Sequence, residues 1–153
     1  MRLTNEIEIL RRVPLLNILD DEALRLIAFN AEKVTLGDDQ TVFFNGDPAE
    51  GALLIADGSL SHMELVDGEL TERNRLEAGA IVDPYALISD MRRSYTAKSS
   101  GELTYLLLDR VTFLKVMNTY PDLAERVQDY LSDDIASVAS SLTGVAARLD
   151  FID

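Results

Sequence analysis

The chain has 153 residues, 47% of them hydrophobic, which suits one domain with a substantial core, and no apolar run approaches the roughly 20 residues that cross a bilayer. A formal charge of -13 argues against direct binding of nucleic acid or an anionic membrane, both of which are held by clustered lysine and arginine. With no cysteine there is no disulfide, thiolate metal site or cysteine nucleophile.

The start, Met1-Arg2-Leu3-Thr4-Asn5-Glu6, leads into charged helix-like sequence and not into the apolar core of a signal peptide, so a cytoplasmic protein is expected. A single domain over residues 1–153 divides by texture into a helical lead-in (1–30), a β-rich stretch (31–108) and C-terminal helices (109–153). In the lead-in, Ile7, Leu10 and Val13 recur at helical spacing and predict a short amphipathic helix that Pro14 stops. Asp20 or Asp21 is placed to cap a second helix, whose apolar face is Ala23, Leu24, Ile27 and Ala28.

Short apolar runs separated by glycine then predict eight strands: 33–36, 40–44, 52–56, 59–65, 70–76, 80–82, 94–99 and 103–108. Asp57-Gly58 and Asp67-Gly68 both read as hairpin turns. The fold class that follows is mainly β with flanking α: an eight-stranded jelly-roll barrel, N-terminal helices and a long C-terminal helix. Asp109-Arg110 opens a helix bearing Val111, Phe113, Leu114, Val116 and Met117, which ends near Tyr120-Pro121.

Beyond it, Leu131, Ile135, Val138, Leu142, Val145, Leu149 and Ile152 recur by four and three, a heptad seam that must be buried either on its own barrel or against the same helix of a second molecule. Gly144 weakens that helix by about 1 kcal/mol relative to alanine.

The stretch from Gly79 to Lys98 carries the one chemical proposal. A glycine turn leads to Asp83-Pro84, which predicts a helix of about one turn, because aspartate caps free amides and proline fits the first helical position. Arg92 and Arg93 precede a strand-like segment that begins Ser94-Tyr95. The amides of a helix start and a guanidinium fork can together hold one phosphate.

This arrangement resembles the phosphate-binding cassette of the cyclic-nucleotide-binding domain family, which reads Phe-Gly-Glu-x-Ala-Leu and, several residues on, Arg-Ala-Ala. Here Ala86-Leu87 match the Ala-Leu, Arg93 is the natural arginine with Arg92 the alternative, and Ser94-Tyr95 stand where the two alanines would be. Gly37, Asn45-Gly46-Asp47, Leu53-Leu54-Ile55 with Gly58, and Leu76 with Gly79 resemble the family's framework, so that the likeness spans roughly residues 8–131.

The resemblance implies that the family's glycine lets the cyclic phosphate sit against backbone and its glutamate accepts the ribose hydroxyl. Asp83 and Pro84 occupy those positions here. Proline has no side-chain acceptor, and an aspartate at the cap would cover the amides and repel an anion. The expectation is that Asp83 pairs with Arg93 in place of a ligand phosphate. Tyr85 and Tyr95 flank the cassette, where they either stack on a purine or pack into the barrel mouth.

No enzyme is expected: the one histidine, His62, leaves neither a histidine-rich metal site nor a Ser-His-Asp set, and no Walker or Rossmann glycine pattern occurs. No cofactor is expected beyond the cyclic nucleotide that the resemblance brings. The resemblance also favours a homodimer through the seam. With the chain stopping at Asp153, the expected role is a regulatory module that signals through an unidentified protein partner or through assembly. The alternative is a receptor for cAMP, cGMP or another small anion.

Overall fold

A computed structural model describes residues 2–130 of the chain. Three helices, α1 (Arg2–Arg11), α2 (Pro14–Asn17) and α3 (Asp21–Asn30), precede the sheet. Asp20 caps α3 by accepting a hydrogen bond from the Ala23 amide at 3.0 Å, and the face Ala23, Leu24, Ile27, Ala28 is buried as its spacing requires. Pro14 does more than stop α1. It opens α2, which turns Leu15 and Leu16 into the core.

The strands are β1 (Glu32–Leu36), β2 (Thr41–Phe43), β3 (Pro48–Ala49), β4 (Gly51–Val66), β5 (Glu69–Glu77), β6 (Ile81–Val82), β7 (Met91–Arg92) and β8 (Thr96–Asp109). One antiparallel sheet runs β1-β8-β4-β5, with β2 also on β8 and β6 also on β4, while β3 and β7 form a separate two-stranded ladder. After β8, Asp109 caps α4 (Arg110–Thr119) by accepting from the Thr112 amide, and residues 121–130 are helical. The seam positions Leu131, Ile135, Val138, Leu142, Val145, Leu149 and Ile152, with Gly144, lie outside the described residues.

The expected fold class holds, but the strands are divided differently. The predicted pairs 52–56/59–65 and 94–99/103–108 are two long continuous strands, β4 and β8, paired along their length from Gly51↔Asp109 to Met63↔Thr96. Asp57-Gly58 is therefore not a hairpin. A two-residue hairpin of this type needs positive φ at both central residues, as Asp67 (51°) and Gly68 (85°) have, whereas of the other pair only Gly58 does (85°).

Gly58 instead sits at a register shift facing β8, where an added Cβ would lie 2.1 Å from the Glu102 carbonyl oxygen. The dipeptide bends the strand and lets two backbones meet; it does not reverse the chain.

Alternation along β4 and β8 divides the core in two. Ala52, Leu54, Leu106 and Leu108 face the helices and pack with Leu16, Leu24, Ile27, Phe113, Leu123 and Val127. Leu53, Ile55, Leu60 and Leu103 point the other way and form the roll's interior with Phe43, Val82 and Ala97. The cassette segment lies across this boundary: Leu87 belongs to the helix-side core, Val82 to the roll interior.

Candidate functional site

The segment after β6 turns through Asp83 into a 3₁₀ turn, Pro84–Leu87, of the short length that Asp83-Pro84 predicts. Asp83 has φ 53° and ψ 58°, a left-handed conformation that aspartate tolerates better than most residues and glycine adopts freely. The capping expectation is corrected here. The Asp83 side chain makes no bond to the turn's amides; its backbone carbonyl accepts from the Ala86 amide at 2.9 Å. Left-handed torsions swing the side chain off the capping trajectory, since an N-cap residue normally has extended backbone.

The carboxylate goes to Arg93 instead. Arg93 Nη1 donates to Asp83 Oδ2 at 3.0 Å, and the two side chains are only 6% and 14% exposed. Arg93 is fixed on its other sides as well: its amide donates to the Asp47 carbonyl at 2.8 Å, its carbonyl accepts from the Gly46 amide at 2.8 Å, and its guanidinium lies 4.7 Å from the Phe43 ring centroid.

The two arginines part company. Arg92 is exposed and donates to the Gly46 carbonyl at 2.8 Å, so Arg93 is the one that enters the roll. The β3/β7 ladder, Pro48↔Arg92 and Ala49↔Met91, holds this geometry.

Ser94 is exposed, and Tyr95 turns inward. The Tyr95 ring stacks on His62, with centroids 3.8 Å apart and 19° between planes, and meets Phe43 at 5.4 Å. Burial pushes its hydroxyl pKa up to about 12, with the Asp83 charge adding to the shift and Arg93 opposing it. Tyr85 packs partly buried on the helix-side core. His62 Nε2 is buried without a hydrogen-bond partner, 3.5 Å from Glu64 Oε1, and no group of metal-binding side chains exists among the described residues.

The sequence reading missed Arg110. Its Nη1 donates to the carbonyls of Ala49 (2.9 Å), Ala86 (3.2 Å) and Ser89 (3.1 Å), and its Nη2 to Asp90 at 2.7 Å. One side chain at the start of α4 thus ties the 3₁₀ turn to β3. Its position just after the helix cap is the only signal the sequence holds, and capping says nothing about where the next side chain reaches.

Beside Arg93 a cleft of about 210 Å³ opens, bordered by Val42, Phe43, Leu53, Tyr105 and Leu107, with Asp47, Pro48 and Glu50 also lining it. A buried guanidinium in such a cleft can hold an anionic group.

The family profile described as Cyclic nucleotide-binding domain matches residues 33–120, more than half of the chain. The chain belongs to the cyclic nucleotide-binding domain family.

Solved structures agree on the fold. The N-terminal domain of a transcriptional regulator from Streptomyces coelicolor A3(2) superposes with a TM-score of 0.80 at 21% identity, covering 88% of this chain and 94% of that one. A cyclic nucleotide-binding-like protein from Brucella abortus gives a TM-score of 0.69 at 28% identity, covering 74% and 98%. The regulatory domain of Toxoplasma gondii PKA, in co-crystals with cAMP, gives 0.68 at 24% identity, covering 74% of this chain and 44% of that one. No described helix is long and apolar enough to cross a membrane.

Proposed function

We propose that this chain is a regulatory module of the cyclic nucleotide-binding family whose cassette is occupied from within. The Asp83 carboxylate stands on Arg93 in place of a ligand phosphate, and Pro84 withdraws the acceptor a ribose hydroxyl would use. The observation that carries this reading is the 3.0 Å contact between two side chains that are both largely removed from solvent. Tyr95 supports it, because an aromatic ring fills space beside Phe43 where the family's cassette has a small residue.

Without nucleotide control, output runs through association with a protein partner or a second copy. The heptad seam from Leu131 to Leu149 favours a homodimer. Exposed apolar side chains on α3 (Leu26, Phe29) and α4 (Val111, Leu114) supply further contact surface.

Thermal unfolding with cAMP, cGMP and cyclic dinucleotides tests the proposal, since a ligand at one hundred times its dissociation constant stabilises by about 2.7 kcal/mol. The expected result is no shift with any of them at millimolar concentration. A saturable rise with one would show that the cassette still works as a receptor.

A further inference from the structure

The two long strands of the sheet do not end together. β4 pairs with β8 only as far as Met63↔Thr96, whereas its pairing with β5 continues through Glu64↔Thr71 and Leu65↔Leu70 to Val66↔Glu69. Residues 64–66 therefore have a strand on one side and none on the other. An extension of β8 would bring Tyr95 and Ser94 there, but the chain is drawn off: the Arg93 amide donates to the Asp47 carbonyl at 2.8 Å, and Tyr95 turns inward onto His62. The vacated lane opens on a cleft of about 400 Å³, lined by Met63, Leu65 and Leu70 of the hairpin and by Asn45, Ser94 and Tyr95 of the neighbouring loops.

The alternation of the ladder fixes which backbone groups face the lane. Asp67-Gly68 closes a two-residue hairpin, so Val66 exchanges hydrogen bonds with Glu69 and Glu64 with Thr71, and the N–H and C=O of Leu65 point away from β5. Neither has a backbone partner among the described residues. Side chains alternate too: Leu65 and Leu70 form a cross-strand pair on one face, 71% and 46% exposed, and Glu64, Val66 and Glu69 lie on the other.

From Glu64 to Arg73 the hairpin carries four carboxylates against one guanidinium. Arg73 meets Glu64 at 3.2 Å, which leaves Asp67 and Glu69 without a cation among the described residues. The outer edge of β5 is guarded against strand addition, because the register shift leaves Arg73 as an extra, charged residue that bends it. The lane beside residues 64–66 has no such bulge.

We propose that this lane receives an extended segment of a partner protein in which an apolar residue stands between two basic ones, added as a strand beside β4. The residue opposite Leu65 exchanges hydrogen bonds with its backbone and lays an apolar side chain on Leu65 and Leu70, while its two neighbours present lysine or arginine to the face that carries Glu64 and Glu69. Three residues, about 10 Å of strand, complete the sheet where β8 leaves it. A second copy of this chain is the poorer occupant, since each carries a formal charge of -13. The proposal rests on the reading that output passes to a protein partner, and it names the surface and the kind of segment that surface takes.

Amide NMR of the isotopically labelled full chain tests it, with the peptide acetyl-Thr-Lys-Val-Lys-Thr-amide as probe. One control peptide has glutamate for both lysines, and another keeps every side chain but carries an N-methyl group on the valine, which removes its backbone donor; cAMP is titrated in parallel. The probe is expected to bind saturably, with shifts centred on the amides of residues 64–66, and both controls at least tenfold more weakly. Leu65→Pro deletes the N–H that faces the lane, and Leu70→Ser removes half of the apolar wall while leaving β4 untouched. Each is expected to weaken binding at least fivefold at an unchanged melting temperature, and Leu70→Ser carries the test if the proline variant does not fold.

No binding of the probe, equal binding of the N-methyl or the glutamate peptide, or binding that Leu70→Ser leaves unchanged would overturn the proposal. If the probe and cAMP are both silent, only this proposal falls. A silent probe in a protein that binds cAMP would also remove the reading on which it rests.

Discussion

Asp83→Gly separates the two things that the aspartate does. Glycine relieves the left-handed backbone at φ 53°, a gain of about 1 kcal/mol. It also leaves Arg93, 6% exposed, without its anion, and removing one partner of a buried pair costs about 3–5 kcal/mol. Because Asp83 itself is 14% exposed, the lower part of that range applies, and the net expectation is a loss of about 2–3 kcal/mol. In a chain of this length that lowers the melting temperature by roughly 4–12 °C.

Arg93→Met alone strands Asp83 and should lose a similar amount. The double variant, which replaces the pair with apolar atoms, should recover most of it, because exchanging a whole buried pair is often neutral. Denaturant melts of the four proteins give the coupling directly, as the sum of the two single losses less that of the double variant, expected at about 3–5 kcal/mol. An Asp83→Gly protein as stable as the parent, with additive single effects, would refute the claim that this pair holds the cassette closed.

Three further outcomes follow from the same geometry. Asp83→Gly with Pro84→Glu returns the backbone freedom and the sugar acceptor of the family's cassette, and calorimetry should then detect cAMP or cGMP. Silence in that variant together with binding once Tyr95→Ala is added would assign the remaining block to the ring stacked on His62. Gly58→Ala should cost several kcal/mol or prevent folding, since its Cβ would fall 2.1 Å from the Glu102 carbonyl oxygen, and an expression and melting comparison with Gly68→Ala, which has open space around it, checks this.

The third concerns pH. The folded Tyr95 hydroxyl titrates near 12 against 10 when unfolded, so the unfolded chain loses its proton first as pH rises. Stability from this group is complete below about pH 10 and falls between 10 and 12, by about 1 kcal/mol once the half-buried ring is discounted for solvent screening. Tyr95→Phe should lack that component, and parallel slopes in the two proteins would contradict it.

The fold was legible in the sequence because its signals are local and mutually consistent. Asp20 and Asp109 cap the helices they precede, Asp67-Gly68 makes its turn, and the apolar face of α3 is buried where its period places it. Asp57-Gly58 shows where local reading stops. Its chemistry permits a hairpin, but both halves of β4 pair with β8, and a partner some forty residues away decides the register.

The site divides in the same way. The opposition of Asp83 and Arg93 could be inferred from charge and position, while the αL backbone that denies Asp83 its capping role could not. The stack of Tyr95 on His62 and the reach of Arg110 to three carbonyls also depend on long-range packing that no periodicity encodes.

Isothermal titration of cAMP and cGMP into the unaltered protein tests the central claim most directly. With Asp83 seated on Arg93, neither nucleotide should give a saturable heat at protein concentrations of tens of micromolar. A dissociation constant in the micromolar range or tighter for either would mean that the carboxylate yields to the ligand and that the module is a working sensor.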